Sequence, residues 1–150
     1  LSVMGPPNAV YYKEEDKMHD QRRAGGGGDK VTSARGDFFF NYFGVGVDVL
    51  FDKRTCNAKK IILHCNPPHH RDFNAYSKCN FSIPGGIGPD SKWEDVQRVL
   101  GQASGRPVVN DRGSSENPFG PTFFHGYNNV IFEVLQNGCL ASVCLFATLS

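Results

Sequence analysis

The sequence lacks the features that would tie it to a membrane or to a charged polymer. No run of apolar residues approaches the 18 or more that a membrane-spanning helix needs, and residues 1–7 lack the charged and apolar regions of a secretory signal. The formal net charge is only +1, which creates no overall field for attracting nucleic acid or anionic lipid. We therefore expect a soluble, cytoplasmic protein that does not bind nucleic acid.

The chain also lacks an even number of cysteines, since it has five of them. A chain of 150 residues buries roughly 70% of its unfolded surface and has no need of disulfide staples. Free thiols in a reducing compartment are therefore the expected state. The sequence begins without Met and within an apolar pattern, so we treat it as a piece of a longer protein.

Two parts of the chain share one pattern of helix, glycine, β-prone run, aromatic strand and hairpin. Residues 93–101 have the apolar spacing of an amphipathic helix, with Ser91 as its N-cap, and residues 1–5 resemble the end of such a helix. The hairpins align without gaps, since Val49 matches Val130 at an offset of 81 residues and Ile62 matches Val143 at the same offset. This similarity predicts an internal repeat.

The fold class predicted from the repeat is α+β, with two tandem α-β-β-β units whose antiparallel sheets pack on helices. We predict a first unit over residues 1–65, a linker with a strand (residues 73–83) over 66–90, and a second unit over 91–150. The first unit carries an insert at about residues 18–37 that includes four consecutive glycines. That composition buries too little apolar surface to order the chain, so disorder is expected there.

Residues 64–81, at and within the start of the linker, contain three of the five histidines and two of the five cysteines. Cys65 and His69 have the spacing of one half of a zinc site, but Cys79 stands alone where a second pair is needed. Cys65 with His69 or His70 is the one compact arrangement for a thiol nucleophile. A loop followed by a strand is the favoured interpretation, and we predict no catalytic residue, metal or cofactor.

Four basic residues bracket the first hairpin turn and are candidates for contact with anionic lipid headgroups: Lys53, Arg54, Lys59 and Lys60. A solvated hairpin tip explains them equally well. The aromatic run at residues 38–43 is similarly open to two interpretations, and burial in a sheet is favoured over an exposed patch.

Several blocks distributed over nearly the whole chain resemble one protein family. The blocks are residues 10–13, 15–18, 39–43, 46–52, 91–93, 107–109, 117–120 and 131–134, together with His64, Asn66, Pro68, His70, Phe73, Asn74, Tyr76, Cys79 and Phe81. On these residues the chain is similar to the C-terminal portion of the phagophore assembly factor 1 family. The glycine-rich insert and the cysteines of the last hairpin depart from the family pattern.

The resemblance implies a non-catalytic scaffold of autophagy that acts with a β-propeller partner, the breast carcinoma amplified sequence 3 protein. The pair would associate with phosphoinositide-bearing phagophore membranes, with the lipid contact chiefly on the propeller. The candidate partner-binding residues are Asn66, Pro68, His70, Phe73, Asn74 and Tyr76. Two alternatives stay open: an adaptor of Golgi or vesicle traffic, and a metal- or thiol-dependent enzyme that uses the linker from Cys65 to Cys79.

Overall fold

The computed structural model describes residues 4–14, 35–68, 70, 73–110 and 120–146. Within these residues the chain forms eight β-strands and one α-helix. In chain order they are β1 (Ala9–Glu14), β2 (Arg35–Tyr42), β3 (Val47–Phe51), β4 (Ala58–His64), α1 (Trp93–Leu100), β5 (Ser104–Asn110), β6 (Thr122–Tyr127), β7 (Val130–Val134) and β8 (Leu140–Phe146).

All eight strands belong to one antiparallel sheet in the order β1-β2-β3-β4-β8-β7-β6-β5. Strands β1 to β4 form a first meander and β5 to β8 form a second, because each strand pairs with the next along the chain. The two meanders join where β4 pairs with β8, with Ile62 opposite Cys144. Strands β1 and β5 are therefore the edges of the sheet.

This architecture shows that the predicted α+β class is wrong. The described part of the chain is mostly one sheet with a single short helix, whereas sheets packed on helices in two α-β-β-β units were expected. The β-prone runs after the glycines are full strands, so each half contributes four strands. Val and aromatic residues at alternate positions favour this outcome. The predicted helix end at residues 1–5 lies mostly outside the described residues, and Met4 is in a turn.

The strand pairing also differs from the constant offset of 81 residues that was predicted between the two hairpins. Val47 pairs with Leu63 in the first hairpin and Val130 pairs with Leu145 in the second, which gives offsets of 83 for β3 to β7 and 82 for β4 to β8. An offset of 81 still matches residues of β3 and β7 that lie on the same face, because 81 and 83 differ by two and side chains alternate between faces. The same offset matches residues of β4 with residues of β8 on the opposite face, because 81 and 82 differ by one.

One face of the sheet, called the helix face, carries the hydrophobic core. Its buried members are Cys65, Ile87, Val96, Phe132, Val134, Leu140 and Val143. Helix α1 contributes Val96, and its N-cap is Lys92, one residue after the predicted cap Ser91. The Asp95 carboxylate accepts a hydrogen bond from the Lys92 N–H at 3.0 Å, whereas the Ser91 hydroxyl accepts one from Gly88. Gly101, at φ 78°, ends the helix.

Residues 73–82 form turns and irregular backbone where a strand was predicted, and Ile83 makes an isolated bridge with Ile87. The segment passes from the opposite face of the sheet, called the groove face, to the helix face, where Cys79 is buried. The boundaries at residues 65 and 91 stay a prediction, although one sheet contains strands from both sides. Of the predicted insert, residues 18–34 lie outside the described residues and 35–37 begin β2.

The turn between β2 and β3 depends on Gly46, which has φ +72° and lies against the backbone of residues 77–79. A Cβ there would collide with the Ser77 carbonyl oxygen and lie 2.9 Å from the Cys79 nitrogen. Gly138 has a similar φ of +88° with no atom within 4 Å of the corresponding point. Of these two glycines, Gly46 alone combines conformational strain with a steric clash against backbone atoms.

We expect Gly46→Ala to lower the free energy of unfolding by at least about 2 kcal/mol more than Gly138→Ala does. Both changes force a non-glycine residue to positive φ, so Gly138→Ala is the control for strain alone. Urea denaturation of the two variants measures the difference. Equal losses would show that the close approach of residues 77–79 does not constrain this turn.

Candidate functional site

The groove face carries a concave site of about 610 Å³. Its floor consists of apolar side chains from five strands, namely Phe39, Ile62, Cys144, Ile131 and Phe124. They lie together because alternate residues of each strand point to one side of the sheet. The linker forms one wall with Asn66, Pro67, His70, Phe73, Ala75 and Tyr76. The site is within the usual size range of ligand pockets and is open to solvent.

A row of polar side chains crosses the groove face beside this floor. In strand order the row is Asn41, Asp48, His64, Ser142, Glu133 and Thr122. Three cross-strand pairs set their spacing: Asn41 lies opposite Asp48, His64 opposite Ser142, and Glu133 opposite Ser142. Hydrogen bonds divide the row into two clusters, each built around one carboxylate.

The first cluster is built around Asp48, which is buried. Its Oδ1 accepts hydrogen bonds from Asn41 Nδ2 at 2.7 Å and from the Tyr76 hydroxyl at 2.5 Å, and His64 Nε2 lies 2.9 Å from its Oδ2. The Tyr76 ring stacks on the His64 ring with centroids 3.8 Å apart. Burial works to raise the pKa of Asp48, but the three hydrogen bonds outweigh it and lower the pKa. Asp48 is therefore an ionised anchor for the linker.

The second cluster is built around Glu133. The Ser142 hydroxyl donates to its Oε1 and the Thr122 hydroxyl to its Oε2, both at 2.9 Å, while His70 Nε2 lies 3.8 Å from Oε2. Burial again works to raise the pKa, and the contacts with His70, Ser142 and Thr122 lower it overall. Glu133 thus holds a second point of the linker, His70, against the sheet.

These clusters position the wall of the groove and offer little acid or base chemistry. A carboxylate that accepts several hydrogen bonds in its ionised form is a poor proton acceptor at neutral pH. Among the described residues, no buried polar side-chain atom lacks a hydrogen-bond partner. The arrangement is suited to binding an apolar group over the floor with polar contacts along the wall.

Comparison with known proteins assigns the chain to a family. A family model described as phagosome assembly factor 1 matches residues 1–146. The chain belongs to the phagosome assembly factor 1 family. This finding confirms the resemblance seen in the sequence.

PHAF1 proteins of three organisms are each 40% identical to the chain. The match covers 95% of the chain and 37% of the Arabidopsis thaliana protein, and 97% of the chain and 38% of the Drosophila melanogaster protein. For the Caenorhabditis elegans protein the shares are 97% and 35%. The chain therefore spans little more than a third of these curated relatives. No solved structure matches it significantly.

The predicted partner-binding residues of this family member fall into two groups. Asn66, His70, Phe73 and Tyr76 line the groove. Pro68 and Asn74 are exposed and do not line it. Asn66 and Asn74 have another role, because they hydrogen-bond each other and close the loop between them: the Asn74 N–H donates to Asn66 Oδ1 at 2.7 Å. Both have positive φ, which asparagine tolerates well.

Among the described residues of this phagosome assembly factor 1 chain, Cys65 and His70 do not form the thiol–imidazole pair that was considered as an alternative. The Cys65 side chain is buried in the core on the helix face, whereas His70 lies on the groove face. Burial raises the pKa of Cys65 to about 12, which leaves almost no thiolate at neutral pH. His69 lies outside the described residues. Within the described ranges, no three His, Cys, Asp or Glu side chains form a group suited to a metal ion.

The four candidate lipid-facing residues have different surroundings. Lys59 forms ion pairs with Asp37 at 2.8 Å and with Asp52 at 3.2 Å. Lys60 lines the groove, while Lys53 and Arg54 are exposed in the turn after β3. In the part of the chain that the structure describes, no helix is long and apolar enough to cross a membrane.

Sequence reasoning missed the two carboxylates that organise this family member's site. Asp48 interrupts the apolar residues 47–51, and Glu133 lies between Phe132 and Val134. A charged residue in an otherwise apolar strand is a usable signal, since burial of a charge requires partners. The alternating pattern predicted one wetter face, yet nothing local indicated that both carboxylates point to the same groove.

We expect Asp48→Asn to lower the free energy of unfolding by about 1–3 kcal/mol at pH 7, because three hydrogen bonds to an ionised acceptor are weakened. The folded pKa of Asp48 is lowered from 3.8, so its contribution is complete above that pH and is lost as the pH falls through the folded value. The difference between wild type and variant should therefore shrink in acid.

Denaturation curves at pH 7 and at several values below pH 4 measure this dependence. Asp90→Asn serves as the control, because that side chain is 80% exposed and its ion pair with Lys78 is at the surface. A difference between wild type and Asp48→Asn that is the same at every pH would contradict the role given to the ionised carboxylate.

Proposed function

We propose that this chain is a non-catalytic interaction module in the assembly of phagosomes or phagophores, and that its groove binds a β-propeller partner. The observation that carries the proposal is the groove itself, whose wall is the family-matching linker and whose floor is apolar. The name of the family supports a role in phagosome assembly. The partner and the scaffold mechanism are our inference.

The chemistry of the groove fits a protein ligand. Phe39 and Phe124 are half-buried in the floor, and Phe73 is 45% exposed on the wall. Aromatic residues in a preformed concave surface are typical anchors of protein interfaces. A β-propeller presents loops and short strands around its rim, and one apolar loop side chain is of suitable size for the floor.

The chemical groups of the site, and the Cys65 thiol in the core on the other face, favour binding over catalysis. The buried Cys65 thiol has a raised pKa, and both carboxylates of the polar row are held ionised by their neighbours. A thiol nucleophile needs a lowered pKa, and a general acid needs a raised carboxyl pKa. The scaffold proposal rests on this contrast together with the shape of the groove.

We also propose that recruitment to phosphoinositide membranes is indirect, through the propeller. Lys59 is already paired with two carboxylates, and Lys60 lines the groove that the partner is proposed to occupy. A headgroup needs several cations on one surface. The exposed Lys53 and Arg54 alone provide a weak site.

Phe73→Glu in the full-length protein should reduce recovery of the propeller partner at least tenfold, because it places a charge in the apolar groove without removing a buried core residue. Quantitative co-precipitation measures the recovery. Val45→Glu is the matched control, since Val45 is an apolar residue with 52% exposure in the β2–β3 turn, outside the groove lining.

Unchanged recovery with Phe73→Glu would sink the proposal that the groove binds the partner. Equal loss with Val45→Glu would show that the charge acts through solubility or folding instead. A thermal melt of each variant separates these cases.

Co-sedimentation with phosphoinositide vesicles tests the indirect mode of recruitment. The full-length protein alone should sediment weakly, and addition of the propeller should increase the bound fraction several-fold. Lys53→Glu combined with Arg54→Glu should change the propeller-dependent fraction by less than about twofold. Strong, salt-sensitive sedimentation without the propeller, abolished by this double change, would establish direct lipid binding in place of our proposal.

A further inference from the structure

The charged side chains of the groove differ in how well they are paired. Apart from two histidines, the described lining residues include two charged ones, Lys60 and Glu133. Glu133 is satisfied within the chain, because it accepts hydrogen bonds from two hydroxyls and contacts His70. Lys60 has no hydrogen-bond or ion-pair partner among the described residues, whereas the adjacent Lys59 is paired with two carboxylates. The described part of the groove therefore has one uncompensated charge, and that charge is positive.

Lys60 lies beside the apolar floor. It is half-buried on the groove face of β4, two residues before Ile62 of the floor. It is opposite Leu50 of β3, which is opposite Phe39 of β2, so these side chains form one row across the strands. Burial raises the pKa of the Cys144 thiol, and the charge of Lys60 works against that rise. The ammonium group is thus close enough to the floor to act on it electrostatically.

Occupation of the floor changes the surroundings of this ammonium group. In the free protein, the flexible stem of Lys60 allows water to hydrate the charge. A partner that covers Phe39 and Ile62 removes part of that water, and this loss of hydration is costly unless an opposite charge replaces it. A carboxylate supplies that charge, and its contact with an ammonium group is stronger when water is excluded. Charge complementarity therefore selects among possible occupants.

The extent of the apolar surface indicates a protein segment as the occupant. Apolar side chains continue past the groove to both edges of the sheet, with Tyr11 opposite Phe39 and Val108 opposite Phe124. Tyr11 is 60% and Val108 is 67% exposed, the two highest values among the large apolar residues described. Eight strands about 4.8 Å apart make this band roughly 30 Å long, which exceeds the length of a drug-sized ligand. An extended protein segment covers such a distance.

We propose that the partner segment in the groove carries an aspartate or glutamate next to its apolar anchor residue, and that this carboxylate pairs with Lys60. The inference rests on the proposed function, since it takes the groove as the partner's binding site, and it adds the chemistry that the partner presents there. Two residues of a strand, or about 7 Å, separate Lys60 from Ile62. The carboxylate is therefore within about two residues of the anchor in the partner's sequence. Lys60 repels a basic residue at that position, which gives the groove specificity.

Affinity measurements between the full-length protein and the purified propeller partner test the pairing. Lys60→Met removes the charge and keeps the length of the side chain, Lys60→Arg keeps the charge, and Lys59→Met is the matched control outside the groove. We expect Lys60→Met to weaken binding at least about fivefold, and the other two changes to alter it less than about twofold. Raised salt should weaken wild-type binding more than binding by Lys60→Met. Thermal melts verify folding, and Lys60→Gln replaces Lys60→Met if that variant is unfolded.

Carbodiimide crosslinking gives a second and more direct measurement. The reagent joins an ammonium group to a carboxylate in contact with it, through an amide bond formed with loss of water. In the wild-type complex, peptide mass spectrometry should find Lys60 joined to an aspartate or glutamate of the propeller that is close to an apolar residue. Lys60→Arg should retain binding and lose this crosslink, because a guanidinium group does not react.

Unchanged affinity of Lys60→Met, measured while Phe73→Glu abolishes binding, would overturn the inference and leave the proposed function standing. Unchanged binding by Phe73→Glu would remove the proposed function and this inference with it. Equal losses for Lys60→Met and Lys59→Met would show an effect of net charge and overturn the pairing, as would absence of the Lys60 crosslink from the wild-type complex. If Lys60→Met lost binding to phosphoinositide vesicles alone, the cation would belong to a lipid site and the inference would be wrong.

Discussion

The pairing of β4 with β8 is the interaction on which the rest of the structure depends. Each meander alone has an open edge at this point, and the five residue pairs from Lys60–Phe146 to His64–Ser142 convert two small sheets into one. Leu63 and Val143 meet on the helix face, within the core. Ile62 and Cys144 meet on the groove face and form the centre of the floor. The core and the candidate site therefore both cross this junction.

The same junction explains how charged groups are accommodated in the sheet. Burial of Asp48 and Glu133 is costly unless donors surround them. The His64–Ser142 pair places a donor for each carboxylate on neighbouring strands, with His64 next to Asp48 and the Ser142 hydroxyl on Glu133. From the linker, Tyr76 donates a hydrogen bond to Asp48 and His70 contacts Glu133. The cost of burial is thus offset by contacts that also fix the linker in place.

Much of the local structure could be predicted from the sequence, but the assembly of the elements could not. The aromatic strand at residues 38–43, the two hairpins and the helix at 93–100 were evident from periodicity, and family membership followed from motif blocks. The fold class was wrong because local patterns contain no information about which strands pair across the halves. A constant offset between repeats failed for a related reason. The β3–β4 hairpin is one residue longer than the β7–β8 hairpin, since Val47 and its partner Leu63 are 16 positions apart and Val130 and its partner Leu145 are 15 apart, and such differences shift the register without changing the pattern.

The linker connects the two faces of the sheet, and this connection bears on the proposed binding role of the groove. Tyr76 is held at Asp48 and His64 on the groove face, and Cys79 is buried under the first meander only three residues later. The groove wall is therefore anchored to the core at one end and to Glu133, through His70, at the other. A wall held in this way loses little conformational entropy when a partner binds, which favours affinity.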